Sequence, residues 1–267
     1  MYRDAHDPER VHRTRIRGWH GDELVDQEDV LAVEEPLEVK SGGVPLAVIM
    51  RTPGHDDELA LGFLFTEGLI SGLDDVERTG LWQDSDGSFA QNTVTVWLRN
   101  ALQSPADRQR MFYATSSCGM CGKASIEVAM GLAPPLTERA TINPSVLYQL
   151  PAKLRESQAV FDRTGGLHAA ALFTTEGTLL AAREDVGRHN AVDKLIGRAL
   201  LDGQLPLSNT ILQVSGRVSF EIVQKALVAR IPQIVAISAP SSLAVQTARR
   251  CNIALVGFLR DGRLNEY

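Results

Sequence analysis

Two cysteines, Cys118 and Cys121, are the residues whose type and spacing point most directly to chemistry. They lie two residues apart in the segment TSSCGMCGK, residues 115–123. The small residues and glycines around them let the backbone turn sharply and keep the sulfur atoms accessible. Lys123 favours the thiolate, which is the nucleophilic form of cysteine. The pair is therefore a candidate for nucleophilic or persulfide chemistry.

Spacing alone leaves other roles open for this cysteine pair. A structural zinc site needs four ligands, but the chain holds only one further cysteine, Cys251, and no second close pair. A thioredoxin-like redox pair would lie at the start of a helix after an early strand, and nothing in this sequence resembles that small domain. A pair without any role is the remaining reading, although exposed, oxidisable cysteines seldom occur in small polar loops that do no chemistry.

Length and composition predict a soluble globular protein. The chain has 267 residues, of which 44% are hydrophobic and 22% charged, so one large domain or two closely packed subdomains can form. The net charge of −6 argues against a nucleic-acid binder, which needs a concentrated basic surface. No run of about 18 apolar residues is present, the first residues lack the apolar core of a signal peptide, and three cysteines do not make a disulfide framework. We expect a cytoplasmic protein that does not bind membranes.

The first half of the chain divides into two parts. Residues 1–20 are rich in Arg, His and Asp without an apolar period, which predicts a mobile N-terminal arm. Residues 21–140 predict a β-rich subdomain that ends in the cysteine loop region. Its Val-rich, alternating segment between residues 29 and 50 predicts a hairpin turning at Ser41-Gly42-Gly43, and a helix follows up to Ile70.

Residues 141–267 alternate short apolar strands with amphipathic helices. The predicted strands are 167–173, 179–184, 210–214, 234–237 and 253–258, and the predicted helices are 190–201, 220–229 and 243–250. This rhythm predicts right-handed crossovers and a largely parallel sheet that is covered by helices on both faces.

Polar segments next to these strands are candidate binding residues. Residues 215–219, among them Ser215, Gly216 and Arg217, follow one predicted strand, and residues 238–242 follow the next, at the end of the sheet where open α/β proteins bind ligands. Small residues there let a phosphate or nucleobase approach, although serine is also a common helix N-cap. His168 starts another strand, where it could donate to a phosphate, orient a thiolate or simply be a partly buried side chain.

Two further clusters combine charge with helix or chain ends. A cluster where a strand enters a helix could bind an anion or cap the helix, and it comprises Asp185, Arg188, His189, Asn190 and Asp193. The tail segment comprises Phe258, Leu259, Arg260, Asp261, Gly262 and Arg263. Its aromatic ring, two guanidinium groups and acid could stack on guanine, pair with phosphates and accept from the base edge. The alternative for the tail is a C-terminal turn with surface salt bridges.

Several separate motifs together resemble the FdhD/NarQ family, the formate dehydrogenase accessory sulfurtransferases, from about Val30 to the C-terminus. The motifs are RTPG (51–54), ELALGFL (58–64), SCGMCG (117–122), GGLHAA (165–170), EDVGRHNAVDK (184–194), SGR (215–217) and GFLRDGRLN (257–265). The resemblance implies a cytidine-deaminase-like three-layer α/β/α core with an N-terminal β-rich subdomain. Zinc deaminase activity is not expected, because His168 is followed by two alanines and the catalytic glutamate is missing.

The resemblance also implies a function. Members act as sulfurtransferases that take persulfide sulfur from a cysteine desulfurase and pass it to the bis(molybdopterin guanine dinucleotide) molybdenum cofactor of formate dehydrogenase. Cys118 matches the persulfide-carrying position, Cys121 is the assisting thiol, and the tail segment matches the part that binds the cofactor. A homodimer without an intrinsic metal is expected. The alternatives are a cofactor-binding chaperone without sulfur chemistry and a zinc-structured interaction module.

Overall fold

A computed structural model of the protein describes residues 10–83, 89–99 and 131–267, so Cys118 and Cys121 lie outside the described residues. The strands of the described part are β1 (Val11–His20), β2 (Glu23–Ala32), β3 (Glu35–Ser41), β4 (Val44–Arg51), β5 (Val76–Gln83), β6 (Phe89–Leu98), β7 (His168–Thr174), β8 (Leu179–Asp185), β9 (Thr210–Val214), β10 (Gln233–Ala236), β11 (Ala254–Arg260) and β12 (Arg263–Glu266). The helices are α1 (Asp56–Thr66), α2 (Pro144–Leu147), α3 (Leu150–Glu156), α4 (Ala159–Thr164), α5 (Arg188–Leu201), α6 (Phe220–Val228) and α7 (Ser242–Arg250).

The central sheet has the strand order β12-β11-β10-β9-β7-β8. Strands β9, β10 and β11 are parallel, as the alternation of strands and helices predicts. The prediction of a largely parallel sheet is nevertheless wrong, because β7 is antiparallel to both β8 and β9 and β12 is antiparallel to β11. Tight turns at Gly177 and at Asp261-Gly262 make the β7–β8 and β11–β12 pairs antiparallel, since two strands joined by a short turn can pair only in this way. Strand β9 follows β8 after helix α5 and runs parallel to it on the other side of β7, so it is also antiparallel to β7.

Helices cover both faces of the central sheet. Successive residues of a strand point to opposite faces, so Ala170 and Leu172 of β7 pack in one core cluster with α5, α6 and α7. Their neighbours Ala171 and Phe173 pack in a second cluster with Leu147, Leu150 and Leu154 of α2 and α3. This arrangement confirms the predicted three-layer α/β/α core.

A second sheet, with the order β4-β3-β6-β5, confirms the β-rich N-terminal part. Strands β3 and β4 form the predicted hairpin, with Gly42 and Gly43 at positive φ in its turn. Helix α1 then packs against α5 so closely that a Cβ at Gly62 would overlap the carbonyl oxygen of Asp193, and one at Gly197 that of Glu58. Side chains of both halves share one core cluster through this crossing, and a boundary at residue 140 stays a prediction.

The N-terminal prediction differs from the structure. Residues 11–20, assigned from the sequence to a mobile arm, form β1, which pairs along its whole length with β2. Arg15 lies opposite Glu28 and Arg17 opposite Asp26 in this two-stranded ribbon. Because the ribbon has no fully buried face, its sequence lacks the apolar alternation by which strands are recognised. In the described part of the chain, no helix is long and apolar enough to cross a membrane.

Candidate functional site

The predicted binding segments meet at one border of the central sheet, the edge formed by the ends of its strands and not by an outermost strand. Strands β9, β10 and β11 end there, while the antiparallel β7 begins there with His168. Residues 215–217 and residues 238–242 follow strand ends at this edge, and the tail segment contains the last three residues of β11, the turn and the first residue of β12. Neighbouring strands lie about 4.8 Å apart, so the edge from β7 to β11 is about 14 Å wide.

His168 and the Ser215–Arg217 loop are in direct contact. The Ser215 hydroxyl oxygen accepts a 2.9 Å hydrogen bond from the backbone N–H of Ala169, which ties the loop to β7. A Cβ at Gly216 would lie only 3.1 Å from Nδ1 of His168, so the imidazole packs against bare backbone. Arg217 is exposed beside them.

The half-buried imidazole of His168 is neutral at physiological pH. Burial lowers its pKa, and the guanidinium groups of Arg188 and Arg217 lower it further, while Asp185 acts in the opposite direction. A neutral imidazole offers one N–H donor and one acceptor nitrogen. His168 can therefore either donate to an anion or accept a proton.

His189 is a second neutral imidazole at this edge. Its Nε2 lies 2.9 Å from the hydroxyl of Ser219, the N-cap residue of α6. Burial, together with Arg188 and Lys225, lowers its pKa to about 3. Ser219 belongs to the predicted 215–219 segment, and its N-cap position matches the alternative for serines there. Glu221 was missed, although an acidic residue in the first turn after a serine is a helix-start signal that would place it here.

Asp185 has a structural role. Its Oδ1 accepts hydrogen bonds of 2.8 Å from the backbone N–H of Gly187 and from the Asn190 amide, and its Oδ2 lies 2.7 Å from Lys194 Nζ. Lys194 also donates to the carbonyl oxygen of Thr52. Asp185 and Asn190 thus hold the turn after β4 against α5.

The cluster at the start of α5 therefore contains both buried structural residues and residues that lie at the binding edge. Gly187 is the N-cap residue, so the prediction that Asp185 or Asn190 caps the helix is wrong. Asp193 is also buried, where it accepts from Thr66 and pairs with Lys225 at 2.9 Å. Arg188 and His189 of this cluster lie at the binding edge, with Cδ of Arg188 3.8 Å from the position of a Cβ at Gly216 and Nε2 of His189 2.9 Å from the hydroxyl of Ser219.

The tail segment combines a turn with a candidate binding face. Arg260 pairs with Arg263 across a two-residue turn in which Asp261 and Gly262 have positive φ. Both arginines are exposed, whereas the side chain of Leu259 is fully buried in the second core cluster and is unavailable to a surface ligand. The turn alternative thus describes the backbone correctly, and binding by the exposed side chains stays a prediction.

The loops after β9 and β10 are joined to each other and to the tail. The N–H of Val218 donates to the carbonyl of Ala239, and the N–H of Phe258 donates to the carbonyl of Ser238. Ser241 caps α7 by accepting from the N–H of Ala244, which matches the N-cap alternative for the second loop. These bonds give the edge a defined shape across three strands.

Metal ligands are not clustered in the described residues: no group of three or more His, Cys, Asp and Glu side chains there could hold a metal ion. Cys251 is buried at the end of α7, where burial raises the pKa of its thiol. The described part of the chain thus offers neither a metal centre nor a reactive thiol. The reactive cysteines predicted from the sequence stay a prediction.

Comparison with known proteins identifies the family. The model of the FdhD/NarQ family matches residues 32–267. The Sulfur carrier protein FdhD of Mycolicibacterium paratuberculosis is 49% identical over 96% of both chains. That of Streptomyces avermitilis is 51% identical over 90% of this chain and 87% of its own, and that of Sulfurisphaera tokodaii is 45% identical over 97% of both.

A solved structure supports the fold. The crystal structure of a protein described as a formate dehydrogenase accessory protein, from Desulfotalea psychrophila, superposes with a TM-score of 0.74 over 96% of both chains. Its sequence identity of 23% makes this a likeness of fold alone. With the family model matching nearly the whole length and relatives sharing about half of their residues, this chain belongs to the FdhD/NarQ family.

Proposed function

We propose that this chain is a sulfur carrier that accepts persulfide sulfur on Cys118 and transfers it to the bis(molybdopterin guanine dinucleotide) cofactor needed by a formate dehydrogenase. The observation that carries the proposal is the family membership over nearly the whole chain, together with the Cys118-Gly-Met-Cys121 pair. Relatives that are about half identical bear the name sulfur carrier protein. The chain is then a sulfurtransferase in the sense that it moves sulfur from a donor protein to this cofactor.

The loading step is a thiol–persulfide exchange. The Cys118 thiolate attacks the terminal sulfur of a persulfide on a cysteine desulfurase, the donor S–S bond breaks, and the donor cysteine leaves as a thiolate. The new persulfide on Cys118 then gives up its terminal sulfur to the cofactor, with Cys121 as a relay or resolving thiol. As a relay, the Cys121 thiolate attacks the terminal sulfur of this persulfide, which becomes a Cys121 persulfide while Cys118 leaves as a thiolate. As a resolving thiol, Cys121 attacks the inner sulfur instead, so that the terminal sulfur leaves as hydrosulfide for the cofactor and a Cys118–Cys121 disulfide forms, which an external dithiol reduces before the next cycle. Lys123 supports the loading step because a nearby cation favours the thiolate.

The edge of the central sheet is the proposed binding surface for the nucleotide part of the cofactor. His168, the Ser215–Arg217 loop and the tail segment line an edge about 14 Å wide, which one extended nucleotide can cover. Exposed guanidinium groups of Arg217, Arg260 and Arg263 suit phosphate oxygens, and Phe258 offers an aromatic ring for a base. Binding and sulfur transfer are thereby assigned to different segments of the chain.

The partners follow from this proposal. A cysteine desulfurase supplies the sulfur, a formate dehydrogenase receives the sulfurated cofactor, and the carrier acts in the cytoplasm as a homodimer. The net charge of −6 supports partners other than nucleic acids.

Intact-protein mass after incubation with a cysteine desulfurase and cysteine tests the proposal. The wild-type chain should gain one sulfur atom that Cys118→Ala does not gain. Cys251→Ala is the matched control and should gain the atom, because Cys251 is fully buried. An equal gain by Cys118→Ala would contradict the assignment. No gain by the wild type would favour the chaperone without sulfur chemistry, and stoichiometric zinc lost in Cys121→Ser would favour the zinc module.

A further inference from the structure

Arg188 and Arg217 bring two guanidinium groups to the same imidazole. Arg188 is the first residue of α5, Arg217 lies in the loop after β9, and both lower the pKa of His168 on β7. Arg188 also has a buried Nε that has no hydrogen-bond partner among the described residues. A buried N–H without an acceptor is costly, so this guanidinium is suited to an acceptor from outside the chain.

The carboxylates around this group are already engaged. Asp185 accepts from Gly187 and Asn190 and pairs with Lys194. Burial raises the pKa of Glu221, but hydrogen bonds from Ser219 and from its own backbone outweigh burial, so its net pKa is lowered and it is ionised. Within the described part of the chain, this edge thus carries two arginines whose charges are only partly balanced.

We propose that Arg188 and Arg217 bind a diphosphate group beside His168, and that His168 takes up a proton when this group binds. Guanidinium groups bind phosphate oxygens through two parallel N–H donors, which a lone ammonium cannot do. Gly216 brings the side chains of His168 and Arg188 together, because the position of its missing Cβ lies 3.1 Å from Nδ1 of His168 and 3.8 Å from Cδ of Arg188. If the proposed function holds, the group is the diphosphate of the guanine dinucleotide. The chemistry of the site would serve free pyrophosphate equally.

Proton uptake follows from the charges that face His168. In the free protein burial and the two arginines keep its pKa below the usual 6.5, against the opposing effect of Asp185. A bound anion neutralises the arginines and favours the imidazolium, so it raises this pKa. Between the lower pKa of the free protein and the higher pKa of the complex, binding takes up protons. His189, the neighbouring imidazole, stays neutral there because its own pKa is about 3.

Calorimetric titration with pyrophosphate and with GDP tests the proposal. At about pH 6.5, the binding heat of the wild type should change with the ionisation enthalpy of the buffer in the sense of proton uptake. Arg217→Gln should weaken both ligands about tenfold, since one charge-assisted contact is lost. Arg249→Gln is the matched control, because this exposed arginine ends α7 at the opposite edge of the sheet. His168→Gln should still bind, but with a smaller proton uptake than the wild type, and the difference between the two proteins isolates His168 from the phosphate groups of the ligands, which themselves titrate near about pH 6.

Each outcome bears on the proposal. Unchanged affinity in both Arg217→Gln and Arg188→Gln overturns the anion site, and the same buffer dependence in the wild type and His168→Gln overturns the proton coupling. Arg217 is exposed, so its substitution leaves packing intact, and a melting curve checks this for Arg188. Arginine-dependent binding of pyrophosphate that GDP cannot displace would support a site for free diphosphate. Persulfide loading of the wild type is measured in parallel. If loading succeeds but diphosphate binding fails, this site is wrong while the sulfur-carrier function stands; if loading fails, the proposed function itself is wrong.

Discussion

Lys194 and Asp185 form an ion pair with a 2.7 Å separation between Nζ and Oδ2, and both side chains are fully buried. The same ammonium donates to the carbonyl of Thr52, and the carboxylate accepts from Asn190. One pair therefore connects the turn after β4 with the strand–helix junction that presents Arg188 and His189. This connection explains why the RTPG and EDVGRHNAVDK segments, which are far apart in sequence, belong to one structural unit.

Removal of one partner of this pair should strongly destabilise the protein. Asp185→Ala leaves the Lys194 ammonium buried without a counter-charge, a situation that typically costs about 3–5 kcal/mol. Chemical denaturation should show this loss in the free energy of unfolding. The exposed pair of Arg13 and Glu28 provides a control, since Glu28→Ala should cost less than about 1 kcal/mol. A loss of similar size in both variants would contradict a special role for the buried pair.

Gly62 and Gly197 should tolerate no larger residue. A Cβ at either position would overlap a backbone carbonyl oxygen of the other helix, so Gly197→Ala forces α1 and α5 apart. We expect a loss of about 3 kcal/mol or more, because the clash is with backbone that cannot rotate away. Gly72→Ala is the control, since a Cβ there meets open space and its φ of 174° suits any residue. Equal melting temperatures of the two variants would argue against the close helix crossing.

How far the sequence predicts this structure depends on burial. The predicted helix 190–201 and the observed α5 (Arg188–Leu201) agree closely because its apolar residues repeat at helical spacing and are buried. Strand β9 matches its predicted bounds for the same reason. The β1–β2 ribbon was missed because neither of its faces is fully buried. Its opposite charges, Arg15 with Glu28 and Arg17 with Asp26, become a signal only once the register is known.

The candidate site was predictable in type but not in detail. His168 lies shortly after two glycines at the start of a predicted strand, and Arg217 directly follows Gly216 after the end of another. The structure brings these two residues together. The roles of Asp185 and Asn190 depend on partners such as Thr52 and Met50, which are more than 130 residues away. Such long-range contacts cannot be inferred from the local sequence. The sequence therefore indicated which residues are special, whereas their division into structural and binding roles required the fold.

Glu58 should make stability depend on pH under acidic conditions. Burial raises the pKa of its carboxyl, but two hydrogen bonds from Arg183, of 2.6 and 2.7 Å, and the nearby His55 outweigh burial and lower it from 4.5 to about 2. A carboxyl with a lowered pKa in the folded state stabilises the protein above its unfolded pKa. This contribution should therefore be complete above about pH 4.5 and disappear as the pH falls towards about 2.

Urea denaturation between pH 6 and pH 3 measures this contribution. Glu58→Gln should lower the free energy of unfolding at pH 6 and show a shallower loss on acidification than the wild type. Glu23→Gln is the control, because Glu23 is exposed on β2 and its substitution should leave the pH dependence nearly unchanged. Parallel pH profiles for the wild type and Glu58→Gln would show that the ion pair with Arg183 contributes nothing in this range.

The exposed arginines of the tail should affect nucleotide binding without affecting the fold. Replacing Arg260 and Arg263 by Ala removes two charge-assisted contacts, each typically worth about 1.5–3 kcal/mol, so the affinity for GDP should fall at least about tenfold. Both side chains are exposed and lie on either side of a two-residue turn, so the melting temperature should stay near that of the wild type. Calorimetric titration and a melting curve measure the two effects separately.

Leu259→Ala gives the opposite pattern, since this buried side chain fills the core under the same strand and its loss typically costs about 2–5 kcal/mol. If the double arginine variant binds GDP as tightly as the wild type, the tail does not contribute to the site, and if it melts early, both arginines are structural.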